Sequence, residues 1–287
     1  MHRITGLFAL AFATTALGLD PAQAVRIHDL VRHRQFPEAQ AELEQIVAAN
    51  PRDAEAQYRL GKVRLDRGQL EDSVRALETA TSLAPGNSDY YRVLGDAYGI
   101  SAQRAGLFAK LGFARKCKAA YDKAVALDPK NINARWSVME YCRQAPAIVG
   151  GGMDGAYTQA AEIRKLDARR GIAAYAMLYA TEKKYDEAFA MFGEALKTAP
   201  DDYEVLYRIG QFAAISGREV DRGIASLQRC LELSPPSNSP GHAPVQWRLG
   251  NLLAAKGDKA GARAAYEAAL KIDPNFPQAL EALRKLQ

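Results

Sequence analysis

Histidine and cysteine, the residues on which metal sites and many catalytic centres depend, are scarce in this chain of 287 residues. The four histidines are too scattered for the usual ligand spacing of a zinc site. Three widely spaced cysteines, Cys117, Cys142 and Cys230, do not form a disulfide framework, which leaves buried thiols or a single Cys117–Cys142 bond. A Gly-x-Ser-x-Gly hydrolase turn is also missing. The sequence therefore predicts no catalytic residues, no metal site and no cofactor.

Long apolar stretches and blocks of like charge are both missing after residue 24. The formal net charge of +5 is mild and is spread along the chain, so no nucleic-acid partner is predicted. After residue 24 no apolar run approaches the about 20 residues of a membrane-spanning helix.

The first 24 residues differ from the rest of the chain. Met1, His2 and Arg3 precede an apolar stretch over 4–19, and small residues stand at Ala22 and Ala24. This pattern predicts a secretory signal peptide over 1–24, cleaved after Ala24. We expect a periplasmic location, with secretion as the second choice. The alternative is an uncleaved membrane anchor.

A four-residue motif ending in glycine recurs along the chain. It reads Tyr-Arg-Leu-Gly at 58–61, Tyr-Arg-Ile-Gly at 207–210 and Trp-Arg-Leu-Gly at 247–250, with a near copy at 91–95. An Ala-rich stretch follows each copy and closes on a proline, which lies 24 residues after the glycine at Pro85 and at Pro274. A fixed interval of this kind is typical of stacked helix–turn–helix repeats.

The repeat resembles the tetratricopeptide family over residues 25–287. On that family's repeat of about 34 positions, small or apolar residues are expected at fixed places, and three repeats supply them. The matches are Leu60, Gly61, Ser73, Leu77, Ala80 and Pro85; Tyr175, Ala176, Tyr179, Ala188, Phe192, Ala195 and Pro200; and Leu249, Gly250, Ala262, Tyr266, Ala269 and Pro274. The resemblance implies an all-α fold, a right-handed α-solenoid in which Gly61 and Gly250 allow close helix approach.

In this register the chain is predicted to contain a partial first repeat, six further repeats and a C-terminal capping helix. A repeat alone cannot bury its apolar face, whereas stacked neighbours can, and the cap shields the last one. The predicted boundaries are 25–53, 54–87, 88–131, 132–168, 169–202, 203–236 and 243–276, with the cap at 277–287.

Two insertions, 99–113 and 145–155, depart from the family spacing. Both are predicted to lie in turns between helices, on one edge of the solenoid. The first combines apolar with basic residues, so it fits either a membrane surface or packing against Ile148 and Val149 of the second, and we favour packing. Its apolar residues are Leu107, Phe108, Leu111 and Phe113, and the basic residues within it or directly after it are Arg104, Lys110, Arg115 and Lys116.

In this family the first helix of each repeat lines a concave groove. The resemblance implies that its positions two, five, nine, twelve and thirteen look into the groove, and position six lies at the rim. Aromatic side chains and arginine, which dominate many interfaces, fill positions five and six unusually often, and the groove candidates also include one asparagine at position nine. They are Tyr58, Arg92, Trp136, Tyr207 and Trp247 at position five, Arg59, Arg208 and Arg248 at six, and Asn251 at nine. The alternative is that the tryptophans only pack between successive first helices. Trp247 above Asn251 does not match the family's lysine-and-asparagine clamp for chaperone tails.

The predicted function is a non-catalytic protein-binding scaffold or adaptor of the bacterial cell envelope. It would hold a peptide or a helix of a protein partner in the concave groove. The alternative is an accessory or membrane-surface-associated module that uses the inserted loops 99–113 and 145–155; membrane contact is not favoured.

Overall fold

The structure, a computed structural model, describes residues 18–237 and 239–286. Within these ranges the chain is all-α and contains no strand. Its contacts divide it into an N-terminal unit, 1–159, and a C-terminal unit, 160–287, and each unit is described by itself. The helices of the N-terminal unit are α1 (Pro21–Arg32), α2 (Phe36–Ala49), α3 (Ala54–Asp66), α4 (Leu70–Leu83), α5 (Ser88–Arg104), α6 (Leu107–Leu127) and α7 (Ile132–Gln144).

A short 3₁₀ turn, Ala147–Val149, follows α7, and α8 (Met153–Leu166) contains the point at which the two units divide. The helices of the C-terminal unit are α9 (Ala168–Glu182), α10 (Tyr185–Thr198), α11 (Tyr203–Ser216), α12 (Val220–Glu232), α13 (His242–Ala255), α14 (Lys259–Ile272) and α15 (Pro277–Lys285).

Most first helices of the helix pairs begin at an aspartate or asparagine that caps the free backbone amides. Asp53, for example, accepts a hydrogen bond of 3.0 Å from the Ala56 amide. Such a cap satisfies an amide that has no partner within the helix, and a preceding proline ends the helix before it. A short Pro-x-Asp/Asn connection therefore sets where α3, α5, α7 and α11 start, whereas the cap of α9 follows no proline. The equivalent caps of α5, α7, α9 and α11 are Asn87, Asn131, Asp167 and Asp202.

Close approach within a helix pair depends on glycine. In the pair α3–α4, the Ser73 hydroxyl donates to the Gly61 carbonyl at 2.8 Å, and a Cβ at Gly61 would lie 2.6 Å from Leu77 Cγ. In the pair α13–α14, a Cβ at Gly250 would lie 2.4 Å from the Tyr266 ring. The large side chain of the second helix thus occupies the space that the glycine leaves.

The helices of each unit pack in chain order. Each helix pair contacts the next through α2–α3, α4–α5 and α6–α7 in the N-terminal unit, and through α10–α11, α12–α13 and α14–α15 in the C-terminal unit. First helices also contact the next first helix, as α3 does α5 and α11 does α13. Among the described helices, no second helix makes comparable contact with the next second helix. First helices therefore lie on the more crowded, inner side of each stack.

Side chains at the predicted repeat positions form the core. Leu77 and Phe192 are buried completely, and Tyr266 is 3% exposed. At the C-terminal end, Ala279 of α15 is buried against α14, so that α15 covers the last apolar face. Local helix pairs that bury one another in sequence order define an α-solenoid. The predicted all-α solenoid is confirmed.

The first insertion is helical rather than a loop, which corrects the predicted turn at 99–113. α5 continues to Arg104 and α6 starts at Leu107, so only two residues connect them. α6 has 21 residues and α4 has 14. At about 1.5 Å per residue, α6 is roughly 10 Å longer. Phe113 supports this extension, because its ring lies 6.3 Å from that of Tyr98 on α5.

The second insertion is a turn whose backbone requires glycine. Gly150 and Gly152 have φ values of 85° and 144°, which side-chain-bearing residues rarely adopt. A Cβ at Gly151 would lie 1.7 Å from the Ala145 carbonyl oxygen. The Gly152 amide donates to the Cys142 carbonyl at 2.7 Å, which ties the turn to the end of α7.

The predicted signal peptide lies mainly outside the described residues, which begin at Gly18. In the part that is described, Asp20 caps α1 and exchanges hydrogen bonds with Gln23. The Leu19 amide donates to the Asp53 carboxylate at 2.5 Å. The first turn of α1 therefore precedes the predicted cleavage point after Ala24.

Candidate protein-binding surface

The candidate site in each unit is the exposed side of its first helices. We call this surface the inner face, formed by α3, α5 and α7 in the N-terminal unit and by α11, α13 and α15 in the C-terminal unit. Because successive first helices touch, their exposed side chains form one continuous surface within each unit. The predicted groove residues lie on these helices, and they stay a prediction as binding residues.

Tyr58 on the N-terminal inner face packs against the next first helix. Its ring stacks on that of Tyr90 with 4.4 Å between centroids, and Lys62 Nζ lies 5.3 Å from the Tyr58 centroid. The Tyr90 hydroxyl donates to Glu55 at 2.7 Å. Burial raises the pKa of Tyr58. Packing between first helices, the alternative given above for the tryptophans, is thus found at this tyrosine.

Arg92 is neutralised by carboxylates of its own helix. Its Nη1 donates to Asp96 at 2.9 Å and its Nε to Asp89 at 3.4 Å. Asp96 also accepts from the Tyr121 hydroxyl at 2.7 Å. Burial raises the pKa of Asp96, while the hydrogen bonds from Tyr121 and Arg92 oppose that shift. The Arg92 guanidinium therefore holds a structural carboxylate, which reduces what it can offer to a partner.

Arg59 and Trp136 complete the predicted residues of the N-terminal inner face. Arg59 forms a 2.6 Å ion pair with Glu55, and its Nη1 lies 3.3 Å from the Ala24 carbonyl oxygen. Arg59 thus connects α3 to α1. Trp136 is partly buried on α7.

On the C-terminal inner face, Arg248 lies between two aromatic rings. Its guanidinium carbon is 5.2 Å from the Tyr207 centroid and 5.0 Å from that of Trp247. Its Nε donates to the Tyr207 hydroxyl at 2.8 Å, and its terminal nitrogens meet no acceptor among the described residues. Arg208, on the preceding first helix, contacts Gln211 at 3.4 Å. Tyr207 is only 8% exposed, so it positions Arg248 rather than offering its own ring.

A cleft of about 450 Å³ opens where α13, α14 and α15 meet, and we call it the C-terminal cleft. Trp247 forms one wall and is held by an edge-to-face contact of 6.2 Å with Phe276. Asn251 Oδ1 accepts from the Tyr266 hydroxyl at 2.8 Å, which fixes the amide and leaves Nδ2 as a donor. Trp247 and Asn251, both predicted to face the groove, thus line one concave site.

The opposite wall of this cleft is missed by the sequence-based prediction, which gives 277–287 only a capping role. This wall comes from α15, which supplies Gln278, Glu281 and Lys285, with an ion pair of 2.6 Å between the last two. The sequence does contain a signal for this wall. A new repeat counted from Pro277 places these three residues at positions two, five and nine, which are groove-facing positions of a first helix.

The described part of the chain holds no group of three or more His, Cys, Asp or Glu side chains placed to bind a metal ion. Burial raises the pKa of the Cys117 and Cys230 thiols to about 12. Such thiols stay protonated and are poor nucleophiles. Among the described helices, none combines the length and apolar character needed to cross a bilayer.

The fold and the inner faces define this chain as a protein–protein interaction scaffold of the α-solenoid class. Sequence profiles described as tetratricopeptide repeat match residues 25–88, 58–98, 169–212 and 243–276, together more than half of the chain. The chain therefore belongs to the tetratricopeptide repeat family, whose members bind protein partners and are generally non-catalytic. Comparison with curated protein sequences finds no match.

Solved structures with the same fold share little sequence with this chain. A tetratricopeptide repeat protein from Parabacteroides merdae matches with a TM-score of 0.59 and 18% identity, over 91% of this chain and 96% of its own. Yeast Tom70 matches with a TM-score of 0.63 and 19% identity, over 88% of this chain and 51% of its own. A thermophilic protein of the family from Thermus thermophilus matches with a TM-score of 0.51 and 22% identity, over 66% of this chain and 95% of its own. At these identities the similarity supports the fold alone.

Proposed function

We propose that this protein is a scaffold of the bacterial cell envelope that holds an extended peptide segment of a partner in the C-terminal cleft. The observation that carries the proposal is the joint placement of Trp247, Asn251 and Lys285 around one concave site. Its volume falls within the about 300–1,000 Å³ typical of ligand sites. Catalysis is not part of the proposal.

Each wall of the cleft suits a different part of a peptide. Trp247 offers a large apolar surface to a side chain, and aromatic residues of this kind often dominate binding energy. The Asn251 amide is oriented to donate to a backbone carbonyl, which every peptide presents. Glu281 and Lys285 offer charges of both signs to side chains or to a chain terminus. Backbone contact gives affinity, and the charged wall gives selectivity.

A location in the envelope is supported by the signal-peptide pattern of residues 1–24. Removal after Ala24 would shorten α1 by its first turn and would eliminate the Ala24 carbonyl that accepts from Arg59. The N-terminal residue of the protein recovered from the periplasm tests this part. Val25 is expected, and an uncut chain retained in the cytoplasm would contradict export.

The cleft is tested by replacing the amide donor of Asn251 while keeping its acceptor. Peptides are selected from a displayed random library on the complete chain, and their affinities are measured by fluorescence anisotropy. Asn251→Asp keeps an oxygen for Tyr266 and removes the donor, so a peptide carbonyl loses its partner and faces a negative charge. We expect affinity to fall about tenfold or more.

Asn275→Asp is the matched control, because Asn275 is exposed in the α14–α15 connection and the charge change is the same. This variant should bind the selected peptides as the parent does. Equal affinities for parent and Asn251→Asp would move the site elsewhere on the scaffold.

A further inference from the structure

The turn between α5 and α6 carries an apolar side chain that nothing in the fold covers. Phe108, in the first turn of α6, is 90% exposed, and Ile148, in the 3₁₀ turn after α7, is 71% exposed. They are the two most exposed large hydrophobic side chains among the described residues. Phe113 and Val149, which belong to the same insertions, are packed. Internal packing, the interpretation favoured from the sequence, therefore accounts for only part of the insertions.

Specific contacts hold the 3₁₀ turn against α6 at Ala114 and Lys118, so the turn and the N-terminal half of α6 form one edge of the N-terminal unit. The Tyr141 hydroxyl lies 2.9 Å from the Ala114 carbonyl of α6 and 2.8 Å from the Val149 carbonyl of the turn. A Cβ at Gly150 would lie 3.7 Å from Lys118 Cγ. Val149, 6% exposed, anchors the turn beside Ile148.

The same edge is strongly basic. Between Asp96 and Asp122 the chain contains no acidic residue, whereas it contains Arg104, Lys110, Arg115, Lys116 and Lys118. A positive surplus of this kind attracts anionic surfaces.

Two of these basic residues, Lys110 and Arg115, make no ion pair within the described part of the chain, unlike Lys118 and Lys116. Lys118 pairs with Asp122 at 2.7 Å, and Lys116 Nζ lies 5.2 Å from the Tyr98 ring centroid. Lys110 and Arg115 are both exposed on α6, two and seven residues after Phe108. Their charges are therefore available to an external anion.

We propose that this basic edge, formed by the α5–α6 turn and the 3₁₀ turn Ala147–Val149, docks on an anionic phospholipid bilayer. Phe108 and Ile148 enter the interface at the level of the headgroups, and Lys110 and Arg115 contact lipid phosphates. An exposed phenylalanine can be buried in the apolar part of a bilayer interface without a pocket of matching shape. An anionic bilayer also offers negative charge to the basic residues. Because α5 and α6 are lengthened, Phe108 in the first turn of α6 lies near the end of this helix pair.

The charge requirement is tested with the complete chain and two vesicle types, pure phosphatidylcholine and an equimolar mixture with phosphatidylglycerol. Binding is measured by sedimentation. The parent should partition at least tenfold more strongly onto the anionic vesicles. Lys110→Glu with Arg115→Glu should remove most of that preference, because each basic residue adds to attraction near an anionic surface. The control, Lys259→Glu with Arg263→Glu on α14, changes the net charge equally and should bind as the parent does.

The apolar requirement is tested with Phe108→Ser, which should weaken partition onto anionic vesicles about fivefold or more. Ile215→Ser, at another exposed apolar side chain (56% exposed), should not. All variants keep the apolar residues 4–19, so differences between variants report this edge alone. Equal binding of the parent to both vesicle types, or charge-reversed protein that binds like the parent, would overturn the proposal. Peptide affinity of the C-terminal cleft should be unchanged in every variant.

Discussion

Replacing Phe192 by alanine is expected to lower the free energy of unfolding by about 3–5 kcal/mol. Phe192 is buried completely in the core of the C-terminal unit, and its ring meets that of Phe212 edge to face at 5.2 Å. Alanine would remove this ring and leave a cavity among neighbours such as Leu227, which is also buried completely. Urea denaturation followed by circular dichroism at 222 nm measures the loss.

Phe108→Ala is the matched control, since the same ring is removed from a side chain that is 90% exposed. Its free energy of unfolding should change by no more than about 0.5 kcal/mol. Repeat arrays can unfold in parts, so the transition of the C-terminal unit is the quantity to compare. Similar losses for the two variants would contradict the assigned core.

Trp247→Ala is expected to weaken peptide binding in the C-terminal cleft by about 30-fold or more. This corresponds to the about 2 kcal/mol or more typical of a dominant interface residue. Trp247 is partly buried and braced by Phe276, so its ring is already in position before a ligand arrives. The measurement is the dissociation constant of a selected peptide, with helicity checked by circular dichroism.

Trp247→Phe should lose much less affinity, because a phenylalanine retains an aromatic wall next to Phe276. Tyr207 is also a predicted groove residue, but Tyr207→Ala is a poor test of peptide binding. Tyr207 is 8% exposed, so its removal would disturb the core. If Trp247→Ala bound as tightly as the parent, the tryptophan would be a packing residue only.

The repeat and its core could be predicted because their determinants are local. The positions occupied by Gly61, Leu77 and Pro85 recur at fixed intervals along the chain. The side chains that pack within one helix pair come from a stretch of about 34 residues. Asp202, the cap of α11, accepts hydrogen bonds from the amides of Glu204 and Val205. Such contacts depend on spacing along the chain, which a sequence shows directly.

The lengthened helix pair could not be predicted from composition. The departure from the family spacing predicted a turn over 99–113, a stretch that contains Gly99, Gly106 and Gly112, yet α5 and α6 continue through two of these glycines. A Cβ at Gly112 would meet nothing within 4 Å, so this glycine is not required by packing. Contacts between the helices, such as that of Phe113 with Tyr98, decide the structure there.

The candidate site was predicted in part. Position within the repeat singled out Trp247 and Asn251 as candidates. It does not show which hydrogen bonds and ion pairs leave a side chain available to a ligand. Asp96 neutralises Arg92, whereas Arg248 keeps its terminal nitrogens unoccupied among the described residues. The Arg92–Asp96 pair lies within one helix, whereas Arg248 depends on Tyr207 of the preceding first helix. The repeat periodicity does not distinguish these two situations.

Hydrogen–deuterium exchange of the complete chain, with and without a selected peptide, tests most directly whether the inner face is the binding surface. We predict slower exchange in α13 and α15, which line the C-terminal cleft, and unchanged exchange in α10, a second helix. Protection confined to second helices such as α10 or α12, with none in α13 and α15, would contradict it.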